Sequence, residues 1–152
     1  MEARLNPYKV ASDAVNALIA LERHVQASGL EIPLLNLIKT RASQLNGCAF
    51  CIDMHTHEAR LRGETEERLY LLDAWRESPL YSARERAALA WTEAVTMVAN
   101  THVPDAVYEE AHQHFSEEEL VKLTVAVATI NAWNRLSISF RAIPPTRSVR
   151  AA

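Results

Sequence analysis

The chain has 152 residues, 49% of them apolar and 23% charged, with a formal net charge of −3. That length supports one buried core and a single domain, expected over residues 1–152. The charge balance offers no basic surplus for nucleic acid and no polybasic segment for a membrane surface, and the apolar stretches break off well short of a bilayer span.

The first seven residues lack the apolar core of a secretory signal, so the expected compartment is the cytoplasm. Only three glycines occur, Gly29, Gly47 and Gly63. Each stands where a helical pattern stops, which favours helices throughout and disfavours an all-β fold. Val10, Ala14, Leu18, Leu21 and Val25 form a helical stripe over residues 9–27. A second helix starts near Pro33, a favourable first-turn residue, and carries Leu34, Leu37, Ile38 and Leu45 as far as Asn46-Gly47. A third runs from Cys48 to Arg62-Gly63. A fourth, over residues 64–75, places acids in its first turn, where the helix dipole favours them. Pro79 breaks the chain.

Ser82-Ala83-Arg84-Glu85 has the form of a capping box and opens a helix through Ala87, Ala88, Trp91, Ala94, Val95 and Val98. Residues 100–103 read as a loop. Pro104 starts a helix that reaches about His114, and Ser116-Glu117-Glu118-Glu119 is a second capping box. The helix behind it, residues 120–138, is the most apolar of the chain and is expected at the centre or in an oligomer interface. Residues from 144 onward read as a frayed tail. The expectation is an all-α bundle of about seven helices, with a Cys-x-x-Cys at the N-terminus of the third.

Both cysteines lie in Asn46-Gly47-Cys48-Ala49-Phe50-Cys51-Ile52-Asp53-Met54-His55. On a helix, Cys48, Cys51 and His55 fall at i, i+3 and i+7 and so share one face. In the cytoplasm such a pair serves redox or metal chemistry more readily than a permanent bridge. Cys48 follows a helix stop, so unpaired N–H groups and the helix dipole favour its thiolate, bringing a thiol from ~8.5 towards roughly 3.5–7.5. Cys51 lies one turn further, over His55, whose imidazole can accept its proton. One sulfur becomes a sulfenic acid and the other condenses with it. No separate cofactor is needed, because the Cys48–Cys51 disulfide is itself the redox group. Zinc is the rival reading, but Cys48, Cys51 and His55 supply three ligands, and His57 points elsewhere on the same helix. An iron–sulfur cluster normally needs four thiolates. Trp75, Trp91 and Trp133 are expected in the core or an interface, and Asn131 and Asn134 as bonded amides. His24, His57, His112 and His114 are expected at the surface and His102 in a connecting loop.

The run from Arg41 to His55 resembles the signature of the AhpD-like alkylhydroperoxidases, within the carboxymuconolactone decarboxylase superfamily. The likeness continues through Leu71-Leu72-Asp73-Ala74-Trp75-Arg76-Glu77, through Glu85-Arg86-Ala87-Ala88-Leu89-Ala90-Trp91-Thr92-Glu93-Ala94, and through Ile130-Asn131-Ala132-Trp133-Asn134-Arg135-Leu136. The resemblance implies an all-helical chain assembling as dimers, trimers or hexamers, with thiol-dependent peroxidase chemistry. It implies a hydroperoxide substrate and an external thiol reductant. Cys51 would attack the peroxide and Cys48, more exposed to the reductant, would resolve it. His55 would link Cys51 to a proton relay. The helix-start argument instead favours Cys48 as the more acidic sulfur, while the nearness of His55 favours Cys51 as the attacking one. The family pattern carries a glutamate twelve residues before the first cysteine, and here that position is Asn36, which orients but takes no proton. Glu93, a charge within an apolar segment, is the candidate substitute. Two other activities stay open: lactone decarboxylation, which uses no cysteine pair, and a non-catalytic oligomer that senses redox state or binds a ligand or metal.

Overall fold

The computed structural model describes residues 2–146; the part of the tail from 147 onward lies outside the described residues. Those residues form nine α-helices and one 3-10 turn, with no strand among them. The helices are α1 (Pro7–Val10), α2 (Ser12–Gln26), α3 (Ile32–Asn46), α4 (Ala49–Leu61), α5 (Glu66–Leu71), α6 (Ala83–Thr96), α7 (Val98–Thr101), α8 (Asp105–His114) and α9 (Glu117–Ser139), with the 3-10 turn at Leu72–Ala74. The expected seven become nine for two local reasons. The first helix is interrupted at Ala11, whose ψ of 63° is non-helical, so the Cys-x-x-Cys opens the fourth helix and not the third. Residues 100–103, expected as a loop, begin with the end of a single turn, α7, closed by His102 and Val103 at φ of 51° and 48°.

Both capping boxes form. Ser82 and Ser116 each accept from the N–H three residues on, and Glu85 and Glu119 reach back to the cap N–H. The three glycines all have positive φ and end or follow helices, as their positions implied.

The helix that is buried on every side is α3, not α9. Leu34 through Ser43 are all buried, including Asn36, Lys39, Thr40 and Arg41. On α9, Val121 and Ile138 are exposed and one face is buried. Thr40, Ser43, Lys39 and Arg41 survive inside α3 because each finds a partner, whereas Asn36 Nδ2 has none among the described residues. Thr40 and Ser43 donate to the carbonyls of Asn36 and Lys39, both at 2.7 Å. Lys39, fully buried, pairs with Glu22 of α2. Arg41 pairs with Glu93 and Asp73.

The main core joins α3, α6, α8 and α9 through Leu34, Leu35, Ile38, Ala88, Leu123 and Val127. A second cluster forms around Leu37, Leu72, Trp75 and Leu89, and a third small one contains Ala42, Cys48, Cys51 and Ile130. Among the described residues no helix is long and apolar enough to cross a membrane.

Candidate active site

The turn between α3 and α4 is built by Asn46 and Gly47. Gly47 is left-handed, at φ 69°, which costs glycine nothing, and the Cys48 N–H reaches back to the Ser43 carbonyl at 2.9 Å. Asn46 is held from the opposite side of the core. Its amide donates to the Ala42 carbonyl at 2.9 Å, to Asn131 Oδ1 at 3.0 Å and to Asn134 Oδ1 at 2.9 Å. Asn134 in turn donates to Ser43 Oγ at 3.0 Å, and Asn131 to Thr96 Oγ1 at 3.1 Å. These buried amides join α3, α6 and α9 at the point where the chain enters the cysteine pair.

Cys48 is the N-cap of α4, in extended conformation, and its sulfur accepts the Cys51 N–H at 3.4 Å. Both cysteines are free thiols and both are only 1% exposed, so Cys48 is not the more accessible sulfur that the resemblance implied. Their environments separate them. Cys48 is lowered to about 6, chiefly because Cys51 donates to it, with further help from the Cys51 backbone N–H and from Asn134 and Ser137, against the cost of burial. Cys51 is pushed far up, because it holds the shared proton against Cys48 and because it is buried. The two shifts run in opposite directions and favour one shared proton, with the thiolate on the Cys48 side.

A reduced chain is expected to show one thiolate ionising near pH 6 by ultraviolet absorbance, and Asn134→Ala should move that step upward. A first ionisation near the ordinary thiol value would contradict this description.

His55 is buried one turn after Cys51. Cys51 and His55 together line a cavity of about 300 Å³, shared with Tyr8, Ile19, Phe50, Met54 and Trp133 and rimmed by Glu22, Gln26 and Glu58. Cys48 is not on that wall. An adjoining apolar cavity of about 220 Å³ shares Tyr8, Phe50, Trp133 and Ser137.

Glu93 does not reach this site. Its carboxylate accepts from Arg41 Nε and Trp75 Nε1, both at 2.8 Å, and from Arg76 at 2.7 Å, which holds it below the ordinary carboxylate range against the cost of its burial. It completes a structural charge cluster across α3, the 3-10 turn and α6. The carboxylate beside the imidazole is Glu58, whose Oε2 lies 3.4 Å from His55 Nδ1. The signal that could have found it is the spacing His-x-x-Glu, which puts both side chains on one helix face. His57 is half-buried, not exposed, while His24, His102 and His112 are exposed. Among the described residues no group of three or more His, Cys, Asp and Glu side chains is arranged to hold a metal ion.

Residues 12–94 match the model of the carboxymuconolactone decarboxylase family. The chain is 42% identical over 139 residues to the uncharacterised protein YdfG of Bacillus subtilis, spanning 91% of this chain and 95% of that protein. Its structure is similar, at a TM-score of 0.94 and 49% identity over 96% of this chain and all of the other, to a protein of unknown function from Agrobacterium tumefaciens described as a candidate antioxidant defence protein AhpD. The same fold recurs in a peroxidase-related protein with an alkylhydroperoxidase AhpD core from Ralstonia eutropha, at a TM-score of 0.80 and 19% identity over 91% of this chain and 74% of that one. The chain belongs to the carboxymuconolactone decarboxylase family and has the all-helical fold of its AhpD-like members.

Proposed function

We propose that this protein is a thiol-dependent peroxidase that reduces a hydroperoxide at the expense of the Cys48/Cys51 dithiol. The observation that carries the proposal is the division between the two sulfurs: Cys51 shares a cavity wall with His55, while Cys48 behind it bears the negative charge. In this reading the Cys51 sulfur attacks the nearer peroxide oxygen and the O–O bond breaks. The Cys51 proton passes to His55 and from there to the departing alkoxide, which leaves as an alcohol. Cys51 is now a sulfenic acid, oxidised by two electrons. The Cys48 thiolate attacks that sulfur, forms the disulfide and expels hydroxide, which solvent protonates to water. An external dithiol must then reduce the disulfide by exchange.

The apolar lining from Phe50, Trp133, Ile19 and Met54 suits a hydroperoxide with an organic body over hydrogen peroxide. Exposed Tyr8, Val10 and Val121 offer apolar surface for assembly as a homo-oligomer.

The test is a thiol titration of the reduced protein under anaerobic conditions, before and after one equivalent of an organic hydroperoxide. Both thiols of each chain are expected to disappear rapidly. Thiols that persist for many minutes would remove the peroxidase reading and leave disulfide exchange or a non-catalytic binding role.

A further inference from the structure

His55 Nδ1 is buried and has no hydrogen bond of good geometry among the described residues; the group facing it is the Glu58 carboxylate at 3.4 Å. Glu58 is about half exposed and lines two cavities. One is the 300 Å³ cavity that holds Cys51 and His55. The other, of about 550 Å³, is also bordered by Gln26, Asn36, Leu61 and Arg62. Asn36 Nδ2, on that second cavity, is likewise buried and without a partner among the described residues. Glu58 thus stands between the imidazole and a second polar opening.

The charged and titratable groups around His55 come from four helices. Its own helix supplies Cys51 and Glu58, α2 supplies Glu22 and α1 supplies Tyr8, Lys39 of α3 and Arg62 at the C-cap of α4 act on Glu58, and α9 presents Trp133 and Ser137 without charge. Of the two carboxylates, Glu22 is already engaged by Lys39 and by Gln26, the latter at 2.9 Å. Glu58 is the one left to the imidazole. His55 in the first place, then Lys39 and Arg62, keep its carboxyl below the ordinary range against the cost of burial.

We propose that Glu58 is a positioning residue for the thiol chemistry, acting through His55. An ionised carboxylate only accepts, so the nitrogen facing it carries the proton. With Nδ1 protonated, Nε2 is the basic nitrogen that takes the Cys51 proton. The positive charge that develops on the ring is then stabilised by Glu58, which itself takes up no proton. This inference rests on the reading of Cys51 and His55 as a working pair, but its test uses no peroxide.

The test is the pH profile of Cys51 alkylation by iodoacetamide in the reduced protein, followed by peptide mass spectrometry. Glu58→Gln is isosteric at a half-exposed position, so the fold is retained. It should slow Cys51 alkylation at neutral pH about tenfold, a fraction of what a direct general base provides, and move the rise of the profile to higher pH. In a His55→Gln background the same substitution should change nothing further. A profile that superimposes on that of the unaltered protein, or is merely scaled down at every pH, overturns the inference. So does a Glu58→Gln shift that persists without His55. If the thiols of the unaltered protein instead ignore peroxide, it is the peroxidase reading that fails.

Discussion

Cys51→Ser is expected to abolish hydroperoxide turnover, by a thousandfold or more, since the attacking atom itself is removed. The outcome is not trivial, because the sulfur that carries the charge is Cys48. A thiolate held near 6 is the stronger candidate on charge alone. Cys51 is the candidate on access, since it and not Cys48 lines the cavity with His55. Access decides if the peroxide cannot reach Cys48, which packs behind Cys51 against Ala42 and Ile130. The companion variant separates the two roles. Cys48→Ser should still be oxidised once, at Cys51, and stop at a sulfenic acid that a dimedone-type reagent traps, because no second sulfur is present to condense with it. Single-turnover oxidation that survives in Cys51→Ser and vanishes in Cys48→Ser would reverse the assignment.

The largest expected loss of stability comes from the core that supports this site. Leu123 is fully buried on α9, among Leu34, Leu35, Ile38 and Ala88. Leu123→Ala removes its contacts and leaves a cavity that helices packed on several sides cannot close. The expected cost is about 3 kcal/mol. For a chain of this size that corresponds to a fall in melting temperature of roughly 6–12 °C, read by calorimetry or circular dichroism. Well below the transition, thiol reactivity should be unchanged, because the amides that set the cysteine turn lie further along α9. A loss under about 1 kcal/mol would mean that this part of the core is not packed as described.

Local features were legible because they depend on neighbours in the chain. Helix starts at Ser82 and Ser116, the stop at Gly47, and the placing of His55 one turn after Cys51 all follow from spacings of three or four residues, whereas Cys48 stands outside the helix as its N-cap. The pull of the helix start on Cys48 was also present in the pattern, since the Cys51 N–H is among the groups that lower it, but the hydrogen bond to Cys48 and the burial that push Cys51 up were not. Glu58 was within reach of the same logic at three residues from His55. Glu93 is the more conspicuous carboxylate in the sequence, a charge in an apolar segment, but that charge serves Arg41, Trp75 and Arg76 instead.

By itself, then, the sequence determined the helical class, the two capping boxes and the placing of His55 one turn after Cys51, since backbone capping and helical periodicity act over one or two turns. Tertiary structure alone decided which helix is central, which sulfur faces the cavity and which carboxylate faces the imidazole. Helix α3 buries a lysine and an arginine only because Glu22 and Glu93, 17 and 52 residues away from their partners, arrive to neutralise them. Burial of a charge depends on a partner brought by the fold, and no local spacing records that.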